Sequence, residues 1–300
     1  RAIPAVKGPE RRAALSGLAF LAPALLLIAV FFFLPVLAAL LLSFTDFDIY
    51  ALGDLDRLRF VGFGNYLQLL QSPLFWTALG NTCYFVAVGG PLSVAVSLGA
   101  ALLVTSRLTR FPGLFRTAIF LPVVTTLVAV AVVWRYLYLP RYGLLNYALS
   151  LSGVEPIDWL GDPDWAMPAI VLMAVWKNFG FNMIIFIAGL QSIPTQLYEA
   201  ARVDGAGAWR QFRHITLPLL GPTFLFVALM TMIGYFQVFA EPYVMTQGGP
   251  ANRTLSVVLL MYEEGFRWWN MGYASAAAFV LFALILAGTV LQMKLRWGRE

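Results

Sequence analysis

Residues 199–218 read EAARVDGAGAWRQFRHITLP, the densest helix-forming polar stretch in a chain whose adjoining segments are long apolar runs. Glu199, Ala200, Ala201 and Arg202 are good helix formers, and Pro194 with Thr195 suits the start of that helix. Asp204 and Gly205 end it, and Gly205 with Gly207 permits a sharp change of direction. Trp209, Phe212 and Ile215 then recur every three residues, the spacing of one apolar helix face, until Pro218 opens the next apolar run. The spacing predicts two short helices about a glycine turn at a membrane surface, a rigid knob for a soluble partner to grip. It fits an ordinary solvated helical hairpin equally well, since such hairpins are common connectors.

The runs on either side set the class of the whole chain. Of its 300 residues 60% are hydrophobic and 12% are charged, too apolar a balance for a soluble domain of this length. Several runs exceed the roughly 20 apolar residues needed to cross a hydrocarbon core, which predicts an all-α membrane protein. Six spans are expected, at about 17–43, 75–103, 115–138, 165–190, 217–241 and 272–293. The first is too long for the core of a signal peptide and has no clear cleavage site, so it is expected to stay as a span. Residue 1 is Arg, so the numbering is expected to begin after the translation start.

The connecting loops differ in charge. Asp46, Asp48, Asp54 and Asp56 stand in the loop of residues 43–72, where Phe60 to Leu70 is amphipathic and aromatic, as for a segment resting at the interface. Arg107, Arg110 and Arg116 mark the next loop, and Glu155, Asp158, Asp162 and Asp164 the one after. In the loop of residues 242–271, Leu255 to Tyr262 is apolar but too short to cross; it is expected as a helix on the outer surface or, alternatively, a re-entrant segment. Trp268 and Trp269 are apt interface anchors.

Thirteen Lys and Arg fall on the side of both ends, the 104–116 loop and the 199–218 stretch, against six on the other side. The basic excess marks the first side as cytoplasmic. The organisation expected is a cytoplasmic segment 1–16, a six-span domain 17–293 containing the loop 191–218, and a cytoplasmic tail 294–300. The net charge of +5 comes from residues flanking spans, which reads as topology and not as nucleic-acid binding. Cys83 is the only cysteine, which excludes an internal disulfide and a cysteine-rich metal site.

Glu199-Ala200-Ala201, Asp204-Gly205-Ala206, and then Phe212, Ile215, Leu217 and Pro218 resemble the EAA loop of the membrane subunits of bacterial ABC importers, the binding-protein-dependent permeases. The Pro-x-x-x-x-Glu-Ala-Ala of Pro194 to Ala201, and Thr-Gln-Gly-Gly-Pro at Thr246 to Pro250, resemble the sugar permeases of the maltose-transporter type. The resemblance implies a type I ABC importer permease fold in a bacterial or archaeal cytoplasmic (inner) membrane. It also implies three kinds of partner: a second homologous permease, two ATP-binding cassette subunits and an extracytoplasmic solute-binding protein. In that family the EAA loop is the coupling helix that seats on the ATPase, a role it implies here for Glu199, Ala200, Ala201, Asp204, Gly205, Ala206, Phe212 and Pro218.

Chemistry of other kinds is missing. No Gly-x-x-x-x-Gly-Lys-Ser/Thr occurs, and the lysines are Lys7, Lys177 and Lys294, so the chain cannot build a Walker phosphate cradle. ATP and Mg would belong to the partner ATPase, and this chain is expected to bind no cofactor. One histidine, His214, and one cysteine give neither a zinc set nor a Cys/His dyad.

The fourth and fifth spans carry the polar candidates. Lys177 lies near the middle of its span, where an ionised side chain costs about 2.5–3.5 kcal/mol on insertion, so it is a candidate for solute contact or for pairing with Glu241. Asn178 and Asn182 are four residues apart with Phe181 beside them. Thr231, Tyr235 and Val238 share a face of the fifth span, with Gln237 adjacent. Amides, hydroxyls and rings suit a neutral, hydroxyl-rich solute. They equally suit helix-to-helix hydrogen bonding. The resemblance favours the first, because sugar-binding residues of that family lie on the spans flanking the EAA loop. The function it implies is import of a sugar or related polyhydroxylated solute by alternating access. A polyol-phosphate permease, or a membrane scaffold that docks a soluble partner without transport, remains open. A secondary transporter is disfavoured by the near absence of intramembrane acids.

Overall fold

The computed structural model describes residues 8–48, 58–106 and 109–297. Arg1 and Lys7 of the N-terminal segment, Asp54, Asp56, Arg107 and the last three residues of the tail lie outside them. Among the described residues the chain is helical, its one extended feature an isolated antiparallel bridge between Thr45 and Phe60.

Four helices are long and apolar enough to cross a membrane, α1 (Ser16–Leu42), α3 (Pro73–Thr105), α7 (Ala166–Gln191) and α13 (Met271–Lys294). Two pairs reach the same length when joined: α4 (Pro112–Val124) with α5 (Leu127–Leu137), bent by 99°, and α9 (Ala208–Leu219) with α10 (Gly221–Phe236), bent by 67°. Shorter helices complete the set: α2 (Gly64–Gln71), α6 (Leu144–Ser150), α8 (Thr195–Val203), α11 (Ala240–Met245) and α12 (Val257–Tyr262). Helices stand at all six expected positions, four of them long enough to cross alone and the third and fifth only as bent pairs. The third is broken at Thr125 and Thr126; the fifth is broken at Leu220 and ends at Phe236 instead of 241.

Four π-helical turns occur among the described residues, at Ala29–Phe33, Phe85–Gly89, Phe212–Thr216 and Glu263–Arg267, and the first three lie within longer helices. Pro35, Pro91 and Pro218 each stand two residues beyond one of these turns. A helical proline has no N–H and clashes with the carbonyl four residues back, which here always falls inside the π turn. The extra residue per turn relieves that clash while the helix continues.

The chain divides into two compact units. One comprises the chain up to Leu69 with Glu264–Phe279. In it Asn65 Nδ2 donates to the carbonyls of Ser43 and Thr45 at 2.9 and 2.8 Å, and the Phe44 ring packs on Phe60, Phe63 and Tyr66. Hydrogen bonds from Arg59, first from its backbone N–H at 2.7 Å, hold the Asp46 carboxyl below its ordinary value. That turn is therefore tightest at neutral pH and loosens below pH 3.8, the unperturbed value.

The other unit, Leu70–Glu263 with the chain from Val280, is built around α7. Apolar on every side, α7 buries Ile170, Met173, Ala174, Met183 and Phe186 almost completely, as a helix surrounded by others must. Ser93, Ser97 and Ala101 of α3 recur every fourth residue and are fully buried, the small-residue face that lets membrane helices approach closely. The apolar segment expected as a surface helix or a re-entrant segment is a short helix packed within this unit. Val257, Leu259 and Leu260 of α12 are buried, and hydroxyls make that burial tolerable. Ser256 Oγ accepts from the N–H of Leu259 and donates to the carbonyl of Val238, and Thr82 Oγ1 accepts from the N–H of Val257.

Candidate functional site

The stretch of residues 199–218 forms the two helices its spacing predicts. Helix α8 ends in a Schellman motif: the N–H of Ala206 donates to the carbonyl of Ala201 at 2.8 Å and that of Gly205 to Arg202 at 3.1 Å. Gly205 sits between them at φ +76°, in the left-handed region. Cross-links make the knob rigid. The hydroxyls of Tyr198 and Thr216 share a hydrogen bond of 2.9 Å, and Gln211 Nε2 donates to the carbonyl of Ala206 at 2.7 Å. Ala201, Ala206 and Phe212 are half-buried in the turn, whereas Glu199, Ala200, Asp204 and Pro218 are exposed. Val203 is 89% exposed and Trp209 71%, apolar side chains carried outward on this cross-linked turn.

Seven of the eight polar and aromatic candidates of the fourth and fifth spans line one cavity of about 480 Å³: Asn178, Phe181, Asn182, Thr231, Tyr235, Gln237 and Val238. Their environments differ. Asn182 Nδ2 donates to Thr231 Oγ1 at 3.0 Å, so this pair is spent largely on holding α7 to α10. Phe181 presents a ring that is 49% exposed, and Asn178 and Gln237 have amides that reach the opening. Because α10 stops at Phe236, Gln237 and Val238 reach the cavity from the turn before α11, not from a helix face. Tyr235 is buried, and its hydroxyl has no well-aligned hydrogen-bond partner among the described residues, although Ser93 and Asn178 lie close to it.

Lys177 does not line the cavity. Its ammonium donates to the carbonyls of Pro122 and Thr125 at 3.1 Å and of Val123 at 3.4 Å. These groups close the last turn of α4 at the break in the third span, where a helix has orphan carbonyls and the negative end of its dipole. The expected ion pair with Glu241 does not form within 4.0 Å, although the two charges feel each other at longer range.

Eight lining residues were not among the site candidates of the sequence reading, Phe85, Phe239 and Glu241 among them, the last having entered only as a partner for Lys177. Phe85 opens the π turn of α3, its ring 5.0 Å from that of Tyr235. Four residues on, a Cβ at Gly89 would stand 2.8 Å from the Tyr235 ring. Gly89→Val is therefore expected to displace that ring and to destabilise the unit by about 1–3 kcal/mol, the cost of overpacking. Denaturation of the purified protein, followed by tyrosine fluorescence, measures it.

An exposed apolar knob and a polar, aromatic cavity between broken helices, both within one unit, fit a transporter subunit. A family model described as binding-protein-dependent transport system inner membrane component matches residues 93–295. The chain belongs to this family. Among these inner membrane components, it is 38% identical to the lactose transport system permease protein LacF of Rhizobium radiobacter, over 92% of each chain. It is 36% identical to the trehalose/maltose transport system permease protein MalF of Thermococcus litoralis, over 96% of each. A chain of the crystal structure of a bacterial alginate ABC transporter superposes with a TM-score of 0.78, covering 94% of this chain and 93% of that one. At 23% identity that likeness shows the shared fold.

Proposed function

We propose that this chain is one transmembrane subunit of an ATP-driven importer. Together with a second permease it forms the pathway for a sugar or related polyhydroxylated solute. One observation carries the reading: rings and amides of Asn178, Phe181, Tyr235 and Gln237 converge on a single cavity, in a relative of permeases named for lactose and for trehalose/maltose. Rings cover the apolar face of a sugar, and amides and hydroxyls bond its edge. The chain itself hydrolyses nothing; two partner ATPase subunits bind ATP and Mg, and a solute-binding protein delivers the cargo from outside.

The termini and the loop around Gly205 face the cytoplasm. There Val203 and Trp209 seat on the ATPase, and its closure, passed through α8 and α9 to α10, switches the cavity from inward to outward access. Moving such an equilibrium from 1:99 to 99:1 takes about 5.5 kcal/mol of preference for the outward form. The test is ATPase activity of the reconstituted complex with its binding protein, across monosaccharides, disaccharides, polyols and glycerol phosphates. Stimulation by one class of sugar is the expected result. A bound ATPase that no solute stimulates would replace the reading with that of a membrane scaffold.

A further inference from the structure

We infer that Glu241 makes the cavity selective for uncharged polyhydroxylated solutes and closes it to carboxylated and phosphorylated ones. The inference rests on the reading of the cavity as the solute site. Glu241 stands in the first turn of α11, 8% exposed, and is the only charged side chain lining the cavity among the described residues. Its carboxylate is bonded by its own backbone N–H and by no other residue described. Tyr235, which lines the same cavity, has a buried hydroxyl with no hydrogen-bond partner among the described residues. A buried polar group left unpaired in a native structure calls for an explanation. A carboxylate only accepts hydrogen bonds and a tyrosine hydroxyl does both, so together they bracket the O–H of a sugar.

An anionic cargo meets the opposite situation. Recognition of a carboxylate or phosphate takes guanidinium, ammonium or converging N–H donors. Among the described residues no arginine lines the cavity, and the Lys177 ammonium is turned to three carbonyls of the broken third span. The anion would instead face Glu241, whose ionised form burial already disfavours and whose support is its own N–H and the more distant Lys177 charge; at low dielectric a second negative charge is repelled far more strongly than in water.

The test is direct binding to the purified complex of both permeases and the ATPase in lipid nanodiscs. The binding protein is left out, so that its own selectivity does not enter. Radiolabelled lactose, maltose and digalactose are compared with digalacturonate and glycerol 3-phosphate. A neutral disaccharide is expected to bind at least about tenfold more tightly than either anion, the ratio that about 1.4 kcal/mol sets. Glu241→Gln keeps the shape and removes the charge, and is expected to bring the ratio to about threefold or less. Equal binding of an anion by the unaltered complex, or a ratio that Glu241→Gln leaves unchanged, would overturn the inference. Affinities untouched by Phe181→Ala and Asn178→Ala would instead remove the cavity reading itself. That pattern is distinct from an unchanged ratio in a cavity which those two variants weaken.

Discussion

Replacement of Lys177 by Met is expected to destabilise the chain by about 2–4 kcal/mol and to abolish transport through loss of structure, not through loss of a cargo contact. Methionine fills the same volume without the charge. It would leave the carbonyls of Val123 and Thr125 with no hydrogen-bond donor among the described residues, at about 1–3 kcal/mol for each buried acceptor. Pro122 would keep the Thr125 hydroxyl, which donates to it at 2.6 Å. The desolvation of an intramembrane ammonium, about 2.5–3.5 kcal/mol, works the other way and is recovered by the substitution. Charge-assisted hydrogen bonds of about 1.5–3 kcal/mol each exceed it when three are made together. The break between α4 and α5 also positions Val123 and Leu127 on the cavity wall, so loosening it should blur the site as well. Lys177→Gln retains N–H donors and should recover about half of the loss. Thermal unfolding of the purified complex and solute-stimulated ATPase separate the alternatives. A Lys177→Met protein of unchanged stability, with only its solute affinity reduced, would place the ammonium on cargo and sink the structural account.

That break shows where sequence reading stops. The run from Leu121 to Val133 is apolar apart from Thr125 and Thr126, and no count of hydropathy marks a bend of 99° in it. What caps it lies more than fifty residues away, in a lysine whose position inside a span was plain but whose partners were not. The same holds for Asn182 and Thr231. Helical spacing puts each on the right face of its own helix, whereas their mutual hydrogen bond depends on how α7 and α10 are docked. The burial of α12 was illegible because six residues cannot reveal which side of a helix is covered; the hydroxyls of Ser256 and Thr82 decide it. Elements governed by local chemistry could be read directly. Apolar runs of sufficient length marked the spans, and Asp204-Gly205 marked the turn, because only a residue at ease in the left-handed region ends a helix in this way.

Gly205→Val is expected to lower ATP-driven uptake at least about tenfold, the effect of roughly 1.4 kcal/mol on the coupled step. At φ +76° a side chain branched at Cβ collides with its own backbone, and the left-handed conformation costs about 1–2 kcal/mol even for an ordinary L residue. A Cβ built at Gly205 meets nothing within 4 Å inside the chain, so the penalty belongs to the backbone alone. To escape it the turn must open. Opening breaks the bonds from Gly205 to Arg202 and from Ala206 to Ala201, and moves the carbonyl of Ala206 that Gln211 holds. Val203 and Trp209 then lose their fixed separation, and the surface proposed to seat the ATPase loses its shape. Gly205→Asn supplies the control, since asparagine tolerates the left-handed region while adding a side chain of similar bulk. If the turn is what matters, the asparagine variant retains coupling and the valine variant either uncouples hydrolysis from uptake or releases the ATPase. If both fail alike, the side chain itself is obstructing the docked surface. Uptake by Gly205→Val at the unaltered rate would show that the rigid turn transmits nothing.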